Sequence, residues 1–132
     1  MNYSSDNTLI AVGEYVKEKI DTASDVIDYT DQITINENIK KMWSTSVKKV
    51  GKNVNFVVNI QVNSLNSYSV KLGTLPAAVR PMTSVSVNTL TNAGIFCYIF
   101  VDADGGFGFT KSSGTWTENE GVRGCFSFIT AN

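Results

Sequence analysis

Any chemistry done by this chain is done without histidine, since none of its 132 residues is one. The commonest general base and metal ligand are therefore missing, and with them every Ser-His or Cys-His nucleophile. Carboxylates are the next candidates. Asp102-Ala103-Asp104-Gly105 has the start of a calcium loop, but a complete loop needs a third ligand in step and a bidentate glutamate about twelve residues from its start. Gly106 to Thr110 reads as strand instead, so the stretch predicts a glycine-rich hairpin and no metal. Glu118 and Glu120 could be taken for an acid and a base acting on a glycosidic bond. They share one polar loop, whereas glycosidase carboxyls face each other across a cleft. The expectation is a non-enzymatic protein with no catalytic residue and no cofactor. Cys97 and Cys125 lack the CxxC spacing of zinc or dithiol sites and are either buried free thiols or a disulfide between neighbouring strands.

Binding chemistry is better represented. Trp116 sits in Ser112-Ser113-Gly114-Thr115-Trp116-Thr117-Glu118-Asn119-Glu120, among small and polar residues. An exposed tryptophan beside carboxylates and amides is the composition of a saccharide site, where the ring stacks on a sugar and the polar groups take its hydroxyls. The other reading is a ring folded back to cap the end of the domain or packed on a neighbouring subunit.

The elements that would hold these groups are mostly strands. From Asn53 to Val62 the period is two, with Val54, Phe56, Val58, Ile60 and Val62 on one face and Asn53, Asn55, Asn59 and Gln61 on the other, the pattern of a half-buried antiparallel strand. Trp43 to Val50 reads as the strand before it, ending at Gly51-Lys52-Asn53. Tyr68, Val70 and Leu72 carry the next inward face, and Val85 and Val87 alternate with Ser84, Ser86 and Asn88. Ile95 to Val101 is apolar on both sides, with Phe96, Tyr98 and Phe100 opposite Cys97, Ile99 and Val101. Val122 to Thr130 repeats this, Phe126 and Phe128 lying opposite Cys125 and Ile129. One face of a strand in a two-layer β fold normally meets water, so both strands predict a subunit interface.

Seven such strands predict a mainly β chain, an antiparallel β-sandwich of jelly-roll-like form. A short N-terminal α-helix should precede it, from a cap at Asp6 or Asn7 to about Asp21, with Leu9, Val12, Val16 and Ile20 as its apolar stripe. The expected division is 1–42 for helix and connector and 43–132 for the sandwich. Within the connector, Val26 to Tyr29 and Ile33 to Ile35 could form short extended pieces. Gly73 to Pro81 holds both prolines, Pro76 and Pro81; each fixes its own φ and keeps the preceding residue extended, so this is a stiff corner. A net charge of −1 without a basic stripe argues against nucleic acid. Apolar runs far shorter than about 20 residues argue against membrane insertion, and Met1 to Asp6 does not start a secretory leader, so synthesis in a cytoplasm is expected.

The run Leu72-Gly73-Thr74-Leu75-Pro76, then Arg80-Pro81, then Val85 to Val87 and a strand entering Asp102 to Gly105 resembles the C-terminal head domain of bacteriophage tail-fibre and baseplate receptor-binding proteins. Those heads carry a similar Leu-Pro to Arg-Pro corner between two strands, followed by a hairpin with a glycine tip. Val79 stands here in place of their usual aromatic. The likeness covers about 43–132. It implies a homotrimer in the virion, at the phage tail tip, whose partners are further copies of itself, other tail or baseplate proteins and a host cell-surface saccharide. On that reading Trp116, Glu118, Asn119 and Arg123 meet the sugar. Phe96, Tyr98 and Phe100, with Leu9, Val16 and Ile20 of the helix, form the oligomer interface. The alternatives are an accessory tail or baseplate protein with protein partners alone, or a bacterial carbohydrate-binding module.

Overall fold

The computed structural model describes residues 25–132, and there the backbone pairs almost wholly as antiparallel strands. Ten occur among the described residues: β1 (Val26–Asp28), β2 (Thr34–Ile35), β3 (Ile39–Met42), β4 (Ser46–Val50), β5 (Asn53–Val62), β6 (Ser69–Thr74), β7 (Val85–Leu90), β8 (Phe96–Val101), β9 (Gly106–Lys111) and β10 (Gly121–Ile129). They form two sheets. The first runs β1-β4-β5-β10 with β3 also on β5, and the second runs β2-β6-β9-β8-β7. This is the two-sheet antiparallel architecture of a β-sandwich. The expected helix over Asp6 to Asp21, including Leu9, Val16 and Ile20, lies outside the described residues.

The alternation along β5 decides the core. Val54, Phe56, Val58, Ile60 and Val62 are buried, as are Val70, Leu72, Ile99, Val101, Phe107 and Phe109 from the second sheet. Fully burying an aliphatic or aromatic side chain of this size contributes about 1.5–3 kcal/mol, so this alternating face is the main stabilising feature of the fold. Phe56 meets Phe107 edge to face, with ring centroids 5.3 Å apart. Gly124 leaves space at the sheet-to-sheet contact, because a Cβ there would stand 2.9 Å from Ile99 Cδ1.

Three expectations change. The 1–42 and 43–132 division does not hold for the described part of the first segment, because β1 pairs with β4, β2 with β6 and β3 with β5. β1 and β2 fall on the extended pieces expected at Val26 to Tyr29 and Ile33 to Ile35, but strands of two to four residues are too short to show a period, and so the whole segment reads as connector. The strand over Trp43 to Val50 is interrupted: β3 lies along residues 60–62 of β5 and β4 along residues 53–57, with Trp43, Ser44 and Thr45 between them. There the Thr45 hydroxyl takes the place of a ladder carbonyl and accepts from the Asn59 N–H at 3.1 Å. Tyr68, expected to point inward, is 62% exposed, because β6 begins one residue after it.

The proline corner stays within the second sheet. It carries the chain from β6 across the β8–β9 hairpin to β7 at the sheet's far edge. Arg80 is extended before Pro81, as a residue preceding proline should be. Its Nε donates to the Leu75 carbonyl at 3.0 Å, and it lies directly over Gly105, whose φ is +90°. Leu75 and Val79 are buried. The corner is thus tied to the tip of the β8–β9 hairpin.

Candidate functional site

The Trp116 loop is where the structure departs most from expectation. Trp116 is 1% exposed, and its Nε1 donates to the Tyr68 carbonyl at 2.9 Å. Phe109 lies 5.8 Å from it between ring centroids, and Lys111 Nζ is 5.2 Å from its ring centroid. A ring covered in this way has no face for a sugar, so the stacking role is withdrawn and the folded-back reading holds. The loop is held by Lys111 at the end of β9. Its Nζ donates to Glu120 Oε1 and Oε2, both at 2.9 Å, and to the Thr115 carbonyl at 2.7 Å. Burial alone would raise the Glu120 pKa; the Lys111 ammonium, with the Thr117 N–H and hydroxyl, outweighs it and holds the carboxyl below the usual glutamate range. Glu118 belongs to a different pair, with Lys40 Nζ at 2.7 Å. That hydrogen bond and charge lower its pKa as well. The two glutamates are therefore engaged separately, each by its own lysine.

A concavity with binding composition lies on the outer face of the first sheet. It is a groove of about 670 Å³ lined by Trp43, Asn59, Gln61, Asn92 and Arg123, among others. Its floor follows from register. Arg123 is the cross-strand partner of Asn59, and Gly121 that of Gln61; across the other side of β5 the Trp43 N–H donates to the Asn59 carbonyl at 2.9 Å. One row therefore reads tryptophan, amide, guanidinium. Trp43 is 42% exposed and sits at the break between β3 and β4, still joined to β5 by its own N–H. Lys41 Nζ stands 5.0 Å from its ring centroid, a cation–π distance, and the ring borders the groove.

One wall is the turn after β7. Thr91 bridges to Val122, and the Thr89 hydroxyl donates to the Arg123 carbonyl at 3.2 Å, so the edge of the second sheet closes on β10. Asn119 organises the end of the groove. It has a left-handed backbone, φ +73°, which asparagine tolerates better than most residues. Its carbonyl accepts from Gln61 Nε2 at 2.9 Å and Asn92 Nδ2 at 3.0 Å, while its own Oδ1 accepts from Lys40 at 2.6 Å.

Of the four residues assigned to saccharide from sequence, Arg123 lines the groove, Asn119 orients two of its amides through its backbone, Glu118 stands beside it on Lys40, and Trp116 is elsewhere in the core. Sequence reasoning missed Trp43, Asn59, Gln61 and Asn92 as a group. The polar face of β5 was the available signal for two of them. Among the described residues no lining residue is acidic; the groove offers an aromatic ring, amides, hydroxyls and a guanidinium, which can stack and hydrogen-bond.

Of the residues assigned to an oligomer interface, Phe96, Tyr98 and Phe100 lie on the outer face of the second sheet. Phe96 is 69% exposed and Tyr98 also faces solvent, while Phe100 is partly covered. Cys97 and Cys125 are both free, and neither expected arrangement holds in full. Cys97 is buried in the second sheet, where burial pushes its thiol up to about 11. Cys125 is exposed on the outer face of the first. Their side chains project from different sheets, one inward and one outward, so they do not bond. The Asp102 to Gly106 stretch is a hairpin turn, closed by the Asp102 N–H donating to the Gly106 carbonyl at 2.8 Å. The chain matches no protein-family model, and no curated protein is similar enough in sequence to count as a match.

Proposed function

We propose that this chain is a non-enzymatic saccharide-binding head, with a jelly-roll-like sandwich, of the kind that ends bacteriophage tail-fibre and baseplate receptor-binding proteins. It acts in the virion as a homotrimer on host cell-surface carbohydrate. The observation that carries the reading is the row Trp43, Asn59 and Arg123 on an open groove. A part-exposed ring bordering the groove stacks on a pyranose, and the flanking amides and guanidinium meet its hydroxyls. The Leu75-Pro76 to Arg80-Pro81 corner supports the phage assignment as scaffold.

Retention of the protein on immobilised microbial cell-wall polysaccharides tests the groove. Trp43→Ala should weaken retention by about tenfold or more, since it removes both stacking and apolar contact. As Trp43 is 42% exposed, its unfolding free energy should fall by no more than about 1 kcal/mol, well short of the loss for a buried tryptophan. Equal retention by both proteins would count against this site.

Phe96 supplies the observation behind a second reading. An exposed phenylalanine beside Tyr98 and Leu90, both also exposed, suits a protein partner. A chain that forms an oligomer yet retains no glycan would be an accessory tail or baseplate protein. Mass in solution separates the cases: three times the chain mass of 14.4 kDa is expected, falling toward one in Phe96→Ser. A monomer that still binds glycan would instead mark a free-standing carbohydrate-binding module.

A further inference from the structure

The charges around the groove say more about what it takes. Lys40 and Glu118 lie beside it and cancel, joined at 2.7 Å. What is left uncancelled is positive. Among the described residues Arg123 is the only charged one that lines it, and Lys41 stands over Trp43 at its rim. The ion pairs among the described residues are Lys40–Glu118 and Lys111–Glu120, so neither Arg123 nor Lys41 has a carboxylate partner among them. This positive pair occurs in a chain whose net charge is −1, so it is a local feature and not a reflection of composition.

Hydrogen bonding points the same way. The Gln61 and Asn92 amides spend N–H groups on the Asn119 carbonyl, and Asn92 Oδ1 accepts from the Gly121 N–H at 3.2 Å. Arg123 and the Asn59 amide are not committed in this way, and both are donors set side by side across β5 and β10. A planar guanidinium presents paired N–H groups that match a carboxylate or phosphate. Trp43 and Arg123 flank Asn59 on opposite sides, two strand spacings or about 10 Å apart. The ring that stacks and the group that carries charge can therefore sit on different sugars of one chain.

We infer that the groove selects acidic saccharides, with a carboxylate or phosphate substituent on Arg123 and a sugar ring on Trp43. This rests on the saccharide reading above and adds the charge of the ligand. The test is an array of microbial glycans in three arms, neutral, carboxylated and phosphorylated, probed with the full chain and with Arg123→Gln, Arg123→Lys and Lys41→Gln. Each substituted side chain is exposed, so folding is not at stake. Retained glycans should be acidic, and the carboxylated and phosphorylated arms show which group is taken. Arg123→Gln should weaken binding by about tenfold or more, the size expected for losing hydrogen bonds to a charged group. Arg123→Lys should recover part of that, keeping charge but not the fork. Raising salt from about 0.05 to about 0.5 M should weaken the parent and leave Arg123→Gln much less affected. Neutral and acidic glycans held equally, with Arg123→Gln unchanged, would overturn the charge inference and leave saccharide binding standing. No retention in any arm would overturn both.

Discussion

Lys111→Met is expected to lower the unfolding free energy by about 3–5 kcal/mol, the cost of leaving one member of a buried ion pair without its partner. The side chains of Lys111 and Glu120 are 3% and 7% exposed. Without the ammonium, the Glu120 carboxylate keeps the Thr117 N–H and hydroxyl but loses the countercharge that offsets its burial. Glu120→Gln should be similarly costly, because it strands the ammonium. The double variant should lose less than the sum of the two, since neither charge is then left behind. Urea unfolding at fixed protein concentration, followed by tryptophan fluorescence, measures all three, and strict additivity would contradict the account. The pH dependence has a definite sign. Glu120 has a folded pKa below its ordinary value of 4.5, so its contribution is fully present above that value and is lost as pH falls through the lower, folded one. The gap between parent and Glu120→Gln should accordingly be widest near neutrality and close in acid.

Trp116→Ala should cost about 3–5 kcal/mol of stability, in the range for removing a large buried aromatic. It should not reduce glycan binding per folded molecule. Besides the cavity, the change removes the Nε1 bond to Tyr68 and the contact with Phe109. The bridge between Leu65 and Trp116 is backbone and survives. Trp43→Ala has the opposite signature, with binding lost and stability largely kept. The two tryptophans thus form a reciprocal pair, read by combining an unfolding curve with a retention measurement on each variant. Loss of binding by folded Trp116→Ala would return the site to that loop.

Much of the fold is legible in single residues. Valines and phenylalanines at alternate positions of β5 place its inward face without any partner being known, because a strand has only two sides. Asp102 to Gly106 reads as a hairpin because a residue at φ +90° is needed at Gly105 and glycine supplies it. The prolines likewise announce a stiff corner. Of the short strands, β1 and β2 fall on the extended pieces read at Val26 to Tyr29 and Ile33 to Ile35, but their pairing, and β3 altogether, are not legible, since each adds to β4, β6 or β5.

The candidate site divides along the same line. Arg123, Asn119 and the wet face of β5 can be read locally, since alternation alone sends Asn59 and Gln61 outward. Which tryptophan meets solvent cannot. Local composition leaves Trp116 either exposed or folded back and makes Trp43 part of a strand, and contacts with other segments decide both. Trp116 is covered because Tyr68, 48 positions away, accepts its N–H, and because Lys111 and Glu120 neutralise each other beneath the loop. Trp43 stands at a strand break because Thr45 satisfies the Asn59 N–H that a continuous strand would have taken, while the Trp43 N–H keeps its bond to the Asn59 carbonyl. Alternation and turn residues act through the chain's own backbone, so the sequence by itself determined the two-faced strands, the corner and the hairpin. Burial of a side chain depends on what other segments bring to it, and that only the tertiary structure decided.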